Sequence, residues 1–498
     1  MPESMNPEVY TKKLSDGRHR CLLLGACGTG MKSLAPILSE AGHEIFGADA
    51  ALVHRGSGTS ALVVANGETP GGNESGLRLP VTWIAEHSIR SHGAFDIAVR
   101  SPAVPAASDV VRQLTQQGTR CLTLQEALDE VFHNRQQICV AGTHGKSTTT
   151  ALVSWILGRA DRALGYFIGA EPAGMQAGGS LGSGPMAVIE SCEFSRSFCH
   201  LNPTHILLTN IDRDHFDCFP DECLEDDAFQ QFLRRSVPDG ILLVSAACER
   251  SHRAVAAASR FAMTFGVSTN GMVSAGDWTA DRVSLSADGI RFCVRRRGVD
   301  FATIHSRLFG YHNVRNVLAA VAMCAELGVS AAQCRTAVEE FPGLRRRFEI
   351  RGQYGGMALV DDYAHHPREV AATLQAARTA FPGRRIVAVL EPHQVSRTKA
   401  LFSDFAGTLT TADEALLLPV FAARENPSGA MCRRLSGQLV RAVNQRGGRA
   451  FLLANLDQVI SRIDDSGRPG DVILTMGAGR TNLIHDEFTR RLQRHSAA

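Results

Sequence analysis

The stretch Ile138-Cys139-Val140-Ala141-Gly142-Thr143-His144-Gly145-Lys146-Ser147-Thr148-Thr149-Thr150-Ala151-Leu152 decides the reading of the chain. Ile138 to Ala141 is a short apolar run of the kind that forms a buried strand. A glycine-bounded turn follows, and Thr148 to Leu157 predicts a helix with an apolar stripe. Strand, glycine turn and helix N-terminus together make an anion site, because the first helical N–H groups lack partners and the helix dipole favours negative charge. Gly142 and Gly145 let the backbone close round a phosphate, and the pattern predicts that Lys146 reaches the outer phosphates and that the Ser147 hydroxyl ligates Mg2+. The strict P-loop pattern needs glycine at position 140, where this chain has Val140.

Outward from this loop, 498 residues suggest about three domains. A composition of 44% hydrophobic and 20% charged residues fits a globular protein with ample core. A formal net charge of +2 provides no broad basic surface, so nucleic acid is not an expected partner. The thirteen cysteines include no C-x-x-C pair, and residues 1–20 lack a secretory pattern. Free thiols in a reducing cytoplasm are the simplest account. No apolar run approaches the roughly 20 residues a membrane span requires, so no membrane insertion is expected. Residues 1–18 read as a polar tail.

Upstream, Arg20-Cys21-Leu22-Leu23-Leu24 runs into Gly25-Ala26-Cys27-Gly28-Thr29-Gly30-Met31, a second glycine turn. A helix from Ser33 to Ala41 and a strand from His43 to Ala48 ending at Asp49 complete a βαβ unit. Its glycines are spaced G-x-x-G-x-G rather than G-x-G-x-x-G, which weakens a nicotinamide-dinucleotide reading. The glycine- and asparagine-rich residues 51–80 read as a surface excursion. Asp96 to Arg100 predicts a strand ending at Ser101 in a proline-bracketed loop.

Downstream, Met186 to Ile189 is an apolar strand delivering Glu190 at its carboxyl end, where α/β sheets bind ligands. His205 to Leu208 runs into Thr209-Asn210-Ile211-Asp212-Arg213-Asp214-His215-Phe216-Asp217. Singly, each carboxylate could be an ordinary loop charge; three apolar strands each ending in phosphate or metal ligands form a pattern. Ser147 and Glu190 offer the hard oxygens that magnesium takes, whereas His215 is a softer donor. Asn313 and Asn316 share one face of a helix start, positioned either to read an adenine edge or to cap the helix. A Pro/Gly break at Pro342-Gly343 precedes Arg345-Arg346-Arg347, of which one could clamp phosphate. Beyond it, strands at Ala358–Asp362, Arg385–Leu390, Glu414–Leu418, Arg449–Leu453 and Asp471–Met476 alternate with helices and predict another parallel sheet.

In this order, AGTHGKSTTT, TNIDRDHFD, GYHNVRN, RRFE and VDDYAHHP resemble the Mur ligases, the ATP-dependent amide-bond enzymes of peptidoglycan synthesis. The similarity spans about residues 19–485. The GACGTGM start, DDYAHHP and Glu391-Pro392-His393…Arg397-Thr398 are most similar to the members that join L-alanine to UDP-N-acetylmuramate.

The resemblance implies an α/β chain of three domains: a Rossmann-like UDP-substrate domain at 19–134, a P-loop ATPase domain at 135–343 and a Rossmann-like amino-acid domain at 344–498. It implies an ADP-forming reaction through an acyl phosphate, with ATP and Mg2+ as cofactors and UDP-N-acetylmuramate and L-alanine as substrates. On this resemblance Gly142, Thr143, His144, Gly145, Lys146, Ser147 and Thr148 hold the ATP phosphates. Asn313 and Asn316 match the adenine-binding pair, Arg347 a phosphate- or ribose-side arginine, and Asp362 the interdomain nucleotide contact. Ser147, Glu190 and His215 match metal ligands. Lys146, His215, His365 and Arg397 match catalytic positions, the last two near the incoming amino acid, and Gly28, Thr29, Gly30, Asp49 and Ser101 fall to the UDP substrate.

Three departures stand out. The acidic motif E-A-D-E-S-D is here Glu190-Ser191-Cys192-Glu193-Phe194-Ser195. Residues 51–80 lack the G-H-x-x-E-N segment that helps to hold UDP. Gln394 stands where the family has arginine, and loss of an Arg–carboxylate pair is worth about 1.5–3 kcal/mol, enough to change amino-acid preference. Four alternatives stay open: a recycling ligase for UDP-MurNAc and tripeptide, a related ligase for another carboxylate, a nucleotide-binding regulator without turnover, and a nicotinamide-dependent oxidoreductase. Against the first, the short run from Glu190 to Asn210 lacks the insertion usual there. Against the third stand Lys146, Glu190, His215 and Asp362.

Overall fold

A computed structural model describes residues 13–50, 52–54, 62–64, 79–268 and 276–496. Most of the N-terminal tail and of the 51–80 excursion lies outside the described residues. Three sheets carry the architecture.

The first sheet holds five parallel strands in the spatial order Thr82–Ile84, Glu44–Ala48, Arg20–Leu24, Ile97–Arg100 and Arg120–Thr123. The first helix runs Thr29–Glu40, four residues ahead of the expected start at Ser33. The Gly28 N–H closes the turn on the Gly25 carbonyl at 3.1 Å, so the next residue is already helical.

The central sheet has ten strands, and the P-loop strand Gln136–Ala141 lies between Met186–Glu190 and His205–Leu208. Both pairings are parallel, so the P-loop, Glu190 and the Thr209–Asp217 loop emerge side by side at one sheet edge. Further out, Trp278–Ser286, Gly289–Arg296 and Val299–Ser306 form an antiparallel extension. Its buried Ile290, Phe292 and Val294 alternate with more exposed neighbours, the period of a sheet covered on one face.

The P-loop helix runs Lys146–Arg159. It is enclosed on most sides rather than along a stripe, because the almost wholly buried helix Tyr311–Glu326 packs against it.

The third sheet has the order Glu349–Tyr354, Met357–Asp362, Val472–Met476, Ile386–Leu390, Glu414–Leu417 and Ala450–Leu452, parallel except for its first strand. The chain is thus α/β with three sheet-containing regions. One apolar cluster runs from Leu23, Leu34 and Leu128 of the first region into Cys139, Phe198 and Phe232 of the second, whereas separate clusters fill the third. Among the described residues no helix is long and apolar enough to cross a membrane.

Candidate active site

Gly142 and Gly145 take φ of +123° and +81°. A Cβ at Gly142 would run into the Thr209 hydroxyl, and one at Gly145 into the Asn316 side chain, so both positions require glycine for conformation and for space. Val140 is buried within the strand, and the turn begins only at Gly142, which removes the need for a glycine at 140. The Asn210 side chain clamps the loop: its Oδ1 accepts from the His144 N–H at 3.0 Å and its Nδ2 donates to the His144 carbonyl at 2.9 Å. The Thr143 hydroxyl accepts from the Asp212 N–H at 2.9 Å. The Thr209–Asp212 motif therefore braces the P-loop. Thr148 in the first helical turn lines the cavity beyond it.

Lys146 Nζ donates to Glu193 Oε2 at 3.0 Å and to the Gly142 and Thr143 carbonyls. Burial works against its charge, but Glu193 beside it more than compensates and holds the ammonium above its ordinary pKa. Sequence reasoning did not single out Glu193 for a role; a wholly buried carboxylate brought against the lysine from the end of another strand is legible only in three dimensions. Ser147 Oγ donates to Glu190 Oε1 at 2.9 Å, and Glu190 Oε2 accepts from the Gly169 N–H at 2.6 Å. His215 lies beside Glu193, with Nε2 3.6 Å from Glu193 Oε1 and a buried Nδ1 without a hydrogen-bond partner. Burial lowers its pKa and keeps its imidazole neutral. Cys192, Glu193 and His215 bring ligand atoms within 4.8 Å of one another.

Beside the P-loop a cavity of about 330 Å³ is lined by His144, Gly145, Thr148, Asn313, Asn316, Arg347 and Asp362. Ala247, Phe265 and Ala319 give it an apolar wall. The two asparagines do not face solvent: Asn313 Nδ2 donates to the Phe309 carbonyl at 2.8 Å and Asn316 Nδ2 to Asn313 Oδ1 at 2.9 Å. Of the arginine triplet, Arg345 pairs with Glu349 and Arg346 with Asp361, while Arg347 lies over the Tyr363 ring at 5.1 Å and borders the cavity. Asp362 accepts from the Phe348 and Ala364 N–H groups at 2.8 and 2.7 Å, and its burial lifts its pKa to about 6.

The third region closes the site through side chains that meet across the seam. His144 bridges two carboxylates, with Nε2 3.0 Å from Asp212 and Nδ1 3.0 Å from Glu369 on the helix Pro367–Ala380. Burial opposes its charge, yet the two carboxylates lift its pKa to about 9. Arg397 Nε donates to Asp214 Oδ1 at 2.7 Å, and its Nη1 contacts His393. Gln394 Nε2 and Arg424 Nη2 reach Asp217 Oδ2 at 3.1 and 2.9 Å. His365 and His393 stand edge to face at 5.6 Å, both held neutral by burial, with pKa values pushed down to about 4 and about 2.

The glycine turn of the first sheet is held by contacts of its own. Asp49 Oδ2 accepts from the Cys27 N–H at 2.9 Å, and Ser101 sits against Gly25 so closely that a Cβ there would strike its hydroxyl. Gly28 and Thr29 open the following helix. Gly30 packs on Phe167, two residues before the Gly169 that holds Glu190, and Ser33 Oγ donates to the Ile168 carbonyl at 2.7 Å. The first region is thus seated directly beside the P-loop edge.

A phosphate-type loop, oxygen donors beside it and a separate closing sheet describe a nucleotide-using enzyme of several domains. Residues 140–324 match the Mur ligase middle domain and residues 346–479 the glutamate ligase domain of Mur ligases. The chain belongs to the Mur ligase family. It is 32% identical over 461 residues to a UDP-N-acetylmuramate–L-alanine ligase of Desulfosudis oleivorans, covering 92% of this chain and 94% of that protein. Its fold is similar to the structure of a UDP-N-acetylmuramate–alanine ligase from Thermotoga maritima, with a TM-score of 0.77, 22% identity and coverage of 96% and 100%. A murein peptide ligase from Psychrobacter arcticus aligns with a TM-score of 0.69, 26% identity and coverage of 95% and 98%.

Proposed function

We propose that this chain is an ADP-forming ligase that uses ATP to join L-alanine to UDP-N-acetylmuramate in peptidoglycan precursor synthesis. One observation carries the reading: the P-loop with its Lys146–Glu193 pair opens onto a seam where Arg397, His365 and His393 of the third region face Asp214 and His215 of the second. Relatives bearing that activity match over more than nine-tenths of the chain.

In this reading residues 19–134 bind the UDP substrate around Gly28, Thr29, Gly30, Asp49 and Ser101. Residues 135–343 bind ATP, and residues 344–498 present the amino acid. The adenine lies near Asn313 and Asn316, and the phosphates run over Gly142–Thr148 toward Lys146. Phosphoryl transfer needs alignment and charge neutralisation more than covalent help. Lys146, kept charged by Glu193, and Arg347 supply cations on the protein side. The muramyl lactyl carboxylate takes the outer phosphoryl group and becomes an acyl phosphate; the alanine amine then attacks its carbonyl and phosphate leaves. Closure of the third region over the seam excludes the water that would otherwise hydrolyse that mixed anhydride.

Magnesium fits the donors at Ser147 and Glu190, two hard oxygen groups 2.9 Å apart, and His215, beside Glu193 and with an unpartnered Nδ1, is the softer donor matched to a second ion. Bound there, the ion would neutralise phosphate charge. The Cys192 thiol beside it is not a magnesium ligand by chemistry. Thirteen free cysteines, several fully buried, support residence in a reducing cytoplasm.

The test is phosphate release from ATP with UDP-N-acetylmuramate and single amino acids, with the stem tripeptide as a further acceptor. Release that requires both UDP-N-acetylmuramate and L-alanine supports the reading; release only with the tripeptide moves the enzyme to the recycling reaction.

A further inference from the structure

Two guanidinium groups of the third region stand at the seam, and they differ in what they can still bind. Arg397 is only 1% exposed and is committed to Asp214 and His393. Arg424 keeps 27% of its side chain exposed, and its Nε and Nη2 both go to a single oxygen, Asp217 Oδ2, at 3.0 and 2.9 Å. Its Nη1 makes no hydrogen bond among the described residues, so one edge of the fork is open to an arriving anion.

The side chain is also fixed in place. Its guanidinium carbon lies over the Phe194 ring, 4.0 Å from the centroid, and Phe194 in turn meets the His215 ring. The loop carrying it is pinned on both sides: the Phe421 N–H donates to the Pro392 carbonyl at 2.8 Å, and Glu425 accepts from the Val395 and Ser396 N–H groups at the start of the helix holding Arg397. Next to it Gln394 is wholly buried, donates its Nε2 to the same Asp217 oxygen, and leaves its Oε1 buried without a partner. A buried acceptor without a donor costs free energy unless something completes it, which marks this spot as one that a ligand carrying N–H groups fills.

We propose that Arg424 binds the carboxylate of the incoming amino acid, with the acceptors of Gln394 and Asp217 facing its amino end. An arginine reached through a different loop thus provides the positive charge that Gln394 does not. The proposal rests on the ligase reading and deepens it, because it names the residue that makes the acceptor an α-amino acid rather than a simple amine.

The experiment compares L-alanine with L-alaninamide, which keeps the amine and lacks the carboxylate, in steady-state ligation by wild type, Arg424→Ala and Arg424→Lys. Arg424→Ala is expected to raise KM for L-alanine about 10- to 100-fold, with KM for ATP and UDP-N-acetylmuramate unchanged as the control for folding. The wild-type preference for alanine over alaninamide should collapse toward unity in Arg424→Ala and return in part in Arg424→Lys. A preference unchanged in Arg424→Ala, or absent in wild type, overturns the proposal alone. Wild type that turns over no amino acid overturns the ligase reading and the proposal with it.

Discussion

Glu193 lies directly beneath Lys146: its Oε2 is 3.0 Å from Nζ, and the carboxylate is fully buried. The P-loop lysine is therefore half of an ion pair before any nucleotide arrives. Removing one partner of such a pair costs about 3–5 kcal/mol, because the other charge is left buried alone. Lys146→Ala should abolish phosphate release and also lower the melting temperature, and adding Glu193→Ala should recover much of that temperature without restoring turnover. A double-mutant cycle in thermal denaturation measures it; additive losses would show that the two residues act independently.

The His144 bridge ties domain closure to pH. Its pKa in the closed arrangement is about 9, against 6.5 for an unperturbed imidazole, so the charge stabilises closure fully below about pH 6.5 and the gain disappears as pH rises through 9. Arg368 lies 3.0 Å from the same Asp212, and the neighbouring His366 has its pKa lowered by burial and by His144. The ligand-free protein should expand between pH 7 and about 10 in small-angle scattering, and Glu369→Gln should already be expanded at pH 7. A radius of gyration that ignores both changes would remove this bridge from the closing machinery.

Gly145 combines a φ of +81° with a Cβ position already filled by Asn316. Gly145→Ala should weaken ATP binding by at least about tenfold through backbone strain and displacement of Asn316 in the cavity wall. Isothermal titration with a non-hydrolysable ATP analogue reads the loss.

Metal dependence should follow the oxygen donors. Ser147→Ala is expected to raise the magnesium concentration for half-maximal phosphate release by about tenfold, and Cys192→Asp to lower it, because a carboxylate then stands beside the oxygen donors where a non-ligating thiol was. Magnesium titrations of the two variants moving in the same direction would contradict the assignment.

Much of this was legible in the sequence because it is local. The P-loop, the Glu190 strand end and the Asn313/Asn316 spacing each lie within a dozen residues, and the parallel sheets follow from alternating apolar runs. The seam was not legible for the opposite reason. His144 and Glu369 are 225 positions apart and Asp217 and Arg424 are 207, and no local pattern distinguishes such a pair from two solvated charges. Arg397 illustrates the limit: a motif singled it out, but its burial against Asp214 was not readable. The antiparallel strands from Trp278 to Ser306 do show alternation and needed only a period-2 reading of that segment.

The apolar cluster that passes without a break from Leu23 and Leu34 to Cys139 and Phe232 has a thermodynamic consequence. Residues sharing one core lose it together, so the first two regions should melt as a single cooperative block, while the third, with cores of its own and polar contacts at the seam, melts separately. Scanning calorimetry of the ligand-free chain should resolve two heat-absorption peaks rather than three. A nucleotide spanning the seam belongs to both blocks at once, and at saturation it should draw the two peaks into one.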